Sequence, residues 1–130
     1  MKFGYTFVYG PDVNATVEFY EKAVGLVRRF VHDSGQYAEM ETGATALAFA
    51  SEALAEANGV AIRPNTLRGV AAAIEICLVT DDPEAACAHA IATGAIPVQP
   101  VVTKPWGQQV AYVRDLNGCL IELCSPVAHD

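Results

Sequence analysis

Long apolar runs are missing from this chain: Glu, Asp or Gly interrupts each one well before the roughly 20 residues that a membrane-spanning helix needs. Missing too is a basic segment followed by an apolar one at the N-terminus, the mark of a secretory leader. The reading is therefore of a cytoplasmic protein with no membrane partner. Bases are scarce, with eight Lys and Arg against fifteen Asp and Glu and a net charge of −7. That balance disfavours nucleic acid and anionic surfaces as partners. No Cys-x-x-Cys pair occurs among Cys77, Cys87, Cys119 and Cys124. All four lie in apolar surroundings and are read as small buried thiols rather than as a metal or redox site. Histidine is sparse: His32 lies near a strand end, His89 in a helix and His129 in the tail, and each is read as surface or structural.

What is present suffices for one compact unit of 130 residues, 52% of them hydrophobic, able to bury a core without staples. Residues 2–9 alternate as a strand, with Tyr5, Phe7 and Tyr9 on one face. Val13, Val17, Tyr20 and Val24 recur at helical spacing, between Asp12 or Asn14 as N-cap and Gly25 as stop. Strands are expected at 26–32, 36–41 and 44–50, then a short helix capped by Ser51. After a Pro- and Asn-containing connection the order repeats: a strand at 70–80, a helix opened by Asp82-Pro83 and stopped by Gly94, and a strand at 96–102. A hairpin turning at Asp115 to Gly118 closes the chain.

A chain that states one pattern twice is read as a duplication. The helix caps Asp12 and Asp82 lie 70 residues apart, and the final strands match at an offset of 74, which sets Tyr5 against Glu75 and Ala48 against Glu122. The expected organisation is α+β: two tandem βαβββ modules, residues 1–59 and 70–130, with a linker at 60–69, forming a curved mixed sheet around a cavity. In each module the helix covers one sheet face. The other face carries Tyr5, Phe7, Tyr9, Ala46, Ala48 and Ala50 from the first half, and Glu75, Cys77, Val79, Leu120, Glu122 and Cys124 from the second. Rings, small residues and carboxylates together describe a pocket lining better than a packed core.

Glu122 stands in the middle of an otherwise apolar strand. An unpaired buried carboxylate costs several kcal/mol or more, so it needs a partner, a proton, a metal or water. Glu75 is the expected neighbour, and two adjacent carboxylates push one pKa up and keep a proton available for acid/base work. Trp106, in the Pro- and Gly-containing segment 104–108 that ends at Gln108, is a candidate to close over a ligand. Tyr37, on a strand face with Glu39 and Glu41, is a further candidate to face the cavity.

The chain resembles the vicinal oxygen chelate superfamily, which contains glyoxalase I, bleomycin-resistance proteins and extradiol dioxygenases. The resemblance rests on the two modules, on Pro11-Asp12-Val13 leading into Val17-Glu18-Phe19-Tyr20 and Gly25-Leu26, and on Asp115-Leu116-Asn117-Gly118 followed by Ile121-Glu122-Leu123. In metal-dependent members the ligands come from the first and last strands of each module, which implies Tyr5, Ala48, Glu75 and Glu122 here. Only the two glutamates are competent by type. They could hold Mg²⁺ or Mn²⁺ with waters, whereas tight Zn²⁺ or Ni²⁺ sites want three or four imidazole or carboxylate ligands. The expectation is a homodimer, a state implied by the resemblance alone, that binds a small organic molecule without a tight metal or other cofactor. Tyr5, Phe7, Tyr37, Ala48, Trp106 and Gln108 would contact the ligand. The competing expectation is an enzyme, either a metal-assisted lyase, isomerase or dioxygenase-like protein or a metal-free catalyst using Glu75 and Glu122.

Overall fold

The computed structural model describes residues 1–127, so His129 lies outside the described residues. Elements follow in the order β1 (Tyr5–Gly10), α1 (Val13–Val24), β2 (Arg28–Val31), β3 (Tyr37–Met40), β4 (Ala46–Ser51), α2 (Glu52–Ala57), β5 (Glu75–Val79), α3 (Pro83–Ala92), β6 (Ile96–Thr103), β7 (Gln109–Arg114) and β8 (Leu120–Cys124). Hydrogen bonding groups the strands into two four-stranded mixed sheets, ordered β1-β4-β3-β2 and β5-β8-β7-β6. In each, the outermost first strand runs parallel to the last and the remaining pairs are antiparallel. The chain divides into two compact units, Met1–Asn65 and Thr66–Asp130.

In the first unit, Asp12 caps α1 by accepting a hydrogen bond from the Ala15 N–H at 3.0 Å, and Gly25 stops it in the left-handed conformation at φ 69°. The helix buries Val13, Val17, Tyr20 and Ala23. The Tyr20 ring meets Phe49 of β4 at 4.8 Å between centroids. Register sets Ala38 opposite Phe49, so the core lies between α1 and the sheet face bearing these residues.

In the second unit, Asp82 caps α3 through the Ala85 N–H at 3.1 Å, with Pro83 at the first helical position. Cys87 and Ala90 of α3 are buried, as are Ala111, Val113, Ile121 and Leu123 on one face of the sheet. The closing turn is held by Asp115, wholly buried, whose Oδ1 accepts from the N–H groups of Asn117 at 2.8 Å and Cys119 at 2.9 Å. Of the Asn117-Gly118 pair only Gly118 takes a positive φ, 96°. A Cβ there would also collide with the Thr66 carbonyl, so residue 118 is glycine for space as well as for conformation. Arg114 fills the adjoining corner, donating to the carbonyls of Gly118 at 2.9 Å, Gly69 at 2.8 Å and Thr66 at 2.8 Å.

Strand starts differ from expectation by one or two residues at β2, β3 and β4, and by more at two places. The first strand begins at Tyr5 rather than at residue 2, and the fifth at Glu75 rather than at residue 70. In each case the strand begins where its parallel partner does: Tyr5 pairs with Ala46, the first residue of β4, and Glu75 with Leu120, the first residue of β8. Those two pairs are related by the offsets of 70 and 74 that the duplication requires.

Candidate functional site

Strand register builds the site in the second unit. β8 lies between β5 and β7, and Glu122 faces Cys77 on one side and Tyr112 on the other. All three side chains project from the sheet face opposite Ile121 and Leu123, the face left bare by α3. The Tyr112 hydroxyl donates to Glu122 Oε1 at 2.9 Å, and the Cys77 thiol to Oε2 at 3.2 Å. Cys77 Sγ lies 3.5 Å from Cys124 Sγ. No base takes part in these bonds; the donors are a phenol and a thiol.

The electrostatics follow from that donor set. Burial alone would push the Glu122 carboxyl up, but bonds from Cys77, Tyr112 and Glu75 outweigh it and hold the carboxyl below its ordinary value. Glu75 moves the other way, raised by burial and then by the hydrogen bond and charge of Glu122. Of the two carboxyl groups, Glu75 is thus the one that takes up a proton first as pH falls. Glu122 pushes Tyr112 up to about 12, with burial adding to it. Desolvation where the Cys77 sulfur packs against its neighbours, followed by the bond to Glu122, raises that thiol well above its usual range.

Cys77 corrects the expectation that all four cysteines are buried. It is exposed, Cys119 is half-buried, and Cys87 and Cys124 are buried. The reason is topological: β5 is an edge strand, and Cys77 projects from the face that carries no helix.

The bare face of the first unit is built differently. Ala48 lies between Phe7 and Glu39. Glu39 is buried, and its Oε1 accepts from Arg29 Nη1 at 2.9 Å while its Oε2 accepts from the Tyr37 hydroxyl at 2.7 Å. Arg29 also grips Glu41 through Nε at 3.0 Å and Nη2 at 2.8 Å. Burial, then the bond to Glu39, raises the Tyr37 phenol well above its ordinary range. Ring centroids stand 5.7 Å apart for Tyr5 and Phe7, 5.7 Å for Phe7 and Tyr37, and 5.9 Å for Phe30 and Tyr37. Tyr5 and Phe7 remain 54% and 48% exposed, so the rings are available to a ligand.

Trp106 is also exposed; its indole N–H donates to Gln108 Oε1 at 2.9 Å, and Gln108 Nε2 donates to the Ser125 carbonyl at 2.9 Å. The structure thus brings together Tyr5, Phe7, Tyr37 and Ala48 in one unit, and in the other Glu75 with Glu122 and Trp106 with Gln108. Two cavities lie elsewhere. One of about 430 Å³ is lined by Glu52, Glu56 and residues 59–62 and 64; another of about 270 Å³ lies between α3 and β6. Neither is lined by an expected site residue. Tyr112 and Arg29 escaped the sequence reading, which set Cys77 and Cys124 on the face of Glu122 but gave those two thiols no part in a site. The duplication offset held a signal for one of them, since Phe7 and Ala48 in one module imply Cys77 beside Glu122 in the other.

The four positions implied for a metal do not form a donor quartet. Ala48 has no donor atom and is wholly buried, and Tyr5 brings only a phenol. Among the described residues, the group of potential ligands that does converge is Cys77, Glu122 and Cys124.

Two βαβββ modules, each with a mixed sheet bare on one face, define the class of this protein. The chain belongs to the Glyoxalase/Bleomycin resistance protein/Dioxygenase superfamily, whose sequence profile matches residues 2–123. Solved structures agree in fold. A glyoxalase-related enzyme from Fulvimarina pelagi is 18% identical with a TM-score of 0.81, over 97% of this chain and 88% of that one. A glyoxalase/bleomycin resistance protein/dioxygenase family enzyme from Burkholderia phytofirmans PsJN is 18% identical with a TM-score of 0.79, over 98% and 100%. A protein of unknown function from Agrobacterium tumefaciens str. C58 is 24% identical with a TM-score of 0.76, over 97% and 94%. Among curated proteins none matches by sequence. No helix among the described residues is long and apolar enough to cross a membrane.

Proposed function

We propose that this protein binds a small, flat organic molecule, in the manner of the bleomycin-resistance members of its superfamily, without a tight metal at the four implied positions. The observation that carries the reading is the exposed aromatic face of the first unit, where Tyr5, Phe7 and Tyr37 stand as a continuous wall over the small residues Ala48 and Ala50. Rings held this way offer stacking at low cost, because Glu39 fixes Tyr37 before any ligand arrives. The net charge of −7 favours a cationic ligand over an anionic one. Trp106 and Gln108 serve the same role in the second unit. An acridine dye, as a planar aromatic cation, tests this by fluorescence titration: saturable binding is expected, weakened about tenfold in Phe7→Ala. Absence of binding across planar aromatic cations and neutral analogues would defeat the proposal.

A second reading, proton transfer by Glu75 and Glu122, is supported by the opposite directions in which their pKa values move. Carbon-13 titration of the two carboxyl groups tests it, and two ordinary values would dismiss it. We also propose a homodimer. Exposed apolar residues such as Ile74, Val79 and Val98 support it, since surface of that kind is commonly covered by a partner. Sedimentation equilibrium should return twice the chain mass. The four free cysteines suit a reducing compartment such as the cytoplasm.

A further inference from the structure

We propose that Cys77, Cys124 and Glu122 form a binding site for a thiophilic divalent cation of the Zn²⁺ class, built wholly within the second unit. Cys77 Sγ lies 3.5 Å from Cys124 Sγ and 3.2 Å from Glu122 Oε2, and one donor atom from each residue falls within 4.8 Å of the others. Around a tetrahedral Zn²⁺, with bonds of about 2.3 Å to sulfur and about 2.0 Å to oxygen, neighbouring donors stand roughly 3.5–3.8 Å apart. The three side chains are therefore close to ligand spacing and need only small adjustments to meet one ion. Cys77 is exposed, which gives the ion a way in.

The two thiols have a rival use, a disulfide, and strand register argues against it. Cys77 pairs with Glu122 and Cys124 with Val79, so the cysteines are diagonal rather than facing. With parallel strands about 4.8 Å apart and two residues of about 3.3 Å rise between them, such neighbours stand about 8 Å apart at Cα, beyond the roughly 6.8 Å that a disulfide spans. An ion between the sulfurs bridges that extra length.

A further side chain completes the arrangement. The Tyr112 hydroxyl holds Glu122 Oε1 at 2.9 Å, fixing the carboxylate so that Oε2 stays turned toward Cys77. Three protein donors leave the fourth tetrahedral position to a water or to a ligand oxygen. On binding, each thiol gives its proton to solvent and coordinates as thiolate. This site shares only Glu122 with the four implied positions and draws its other ligands from sulfur. It goes beyond the binding reading, which needs no metal, and dye binding by the first unit tests that reading separately.

The experiment uses the full chain, reduced and stripped of metal, titrated with Co²⁺ as a spectroscopic substitute for Zn²⁺. One equivalent should bring a sulfur-to-cobalt charge-transfer band and tetrahedral visible absorption, both erased by one equivalent of Zn²⁺. Cys77→Ser, at an exposed position that tolerates change, should lose the charge-transfer band, and Cys87→Ser should keep it in full. Tyr112→Phe should weaken Co²⁺ binding about tenfold with the band intact. Co²⁺ taken up without a charge-transfer band, or a band that survives Cys77→Ser, or one that Cys87→Ser removes equally, would overturn the proposal. Circular dichroism of each variant shows that the fold is retained.

Discussion

On its bare sheet face each unit clasps one acid between two side-chain donors, Glu39 in the first and Glu122 in the second, and the two are held in opposite ways. Glu39 of β3 and Glu122 of β8 both accept one bond on each carboxylate oxygen, and in both a tyrosine supplies one of them. The other donor differs: the Arg29 guanidinium for Glu39, the Cys77 thiol for Glu122. The acid has also moved by one strand, because the position beside Ala48 holds Glu39 and the one beside Glu122 holds Tyr112. Glu39 is a neutralised acid that stiffens an aromatic wall. Glu122 keeps its charge without a base to cancel it, so a cation, a proton or a polar ligand can still be bound there.

The largest effect that sharpens this contrast lies beneath the two faces, in the turns before β4 and β8. Asp115→Ala removes a wholly buried carboxylate that accepts from the part-buried N–H groups of Asn117 and Cys119, and should cost about 3 kcal/mol by urea denaturation. In the turn before β4, exposed Thr42 takes the Leu47 N–H at 2.9 Å, and Thr42→Ala should cost only about 1 kcal/mol. Equal losses would mean that the two turns carry equal weight.

At the acids themselves, Glu39→Gln should destabilise by about 2 kcal/mol, since it removes the charge that Arg29 answers. Glu122→Gln should stay within about 1 kcal/mol of wild type or gain stability, because it removes a part-buried charge that no base answers while keeping the shape. A loss of stability at Glu122 as large as that at Glu39 would erase the distinction between them.

Proton titration in chelator-treated protein separates the units again. Glu41, held low by its bonds to Arg29, contributes stability that is complete above its unfolded pKa and is lost as pH falls through the lower folded value. Glu75, held high, contributes stability that is complete below its unfolded pKa and is lost as pH rises through the higher folded value. Carboxyl carbon-13 shifts should therefore place Glu41 below the ordinary glutamate range and Glu75 above it; matching midpoints would break the comparison. The smallest effect is expected at Gln108→Ala, which frees the indole of Trp106. Tryptophan emission should shift, with stability unchanged to within about 0.5 kcal/mol.

Local signals made much of this molecule legible. Asp12, Gly25 and the spacing between them gave α1 its observed limits, and the repeat gave both modules. The stretch from Val70 to Ile74 misled because apolar residues state a preference for burial but not a partner, and β8 is only five residues long. Arg29 was hidden by a register shift between Arg28 and Phe30, an irregularity of the kind that re-aims a side chain away from simple alternation. Cys77 and Cys124 are 47 residues apart, and nothing in their spacing announces that their sulfurs meet. Register, a property of two strands together, is what joins them.

The three carbonyl bonds of Arg114 decide where a cut in the chain would matter. Trypsin spares the bond after Arg63, which is followed by Pro64, and a cut there by another protease would leave everything Arg114 grips on one piece. A cut after Arg68 puts Thr66 on one fragment and Gly69 on the other, so the guanidinium becomes the rivet between two separate polypeptides. The stretch that composition marks as a tether thus ends, as far as protease damage is concerned, at Asn65.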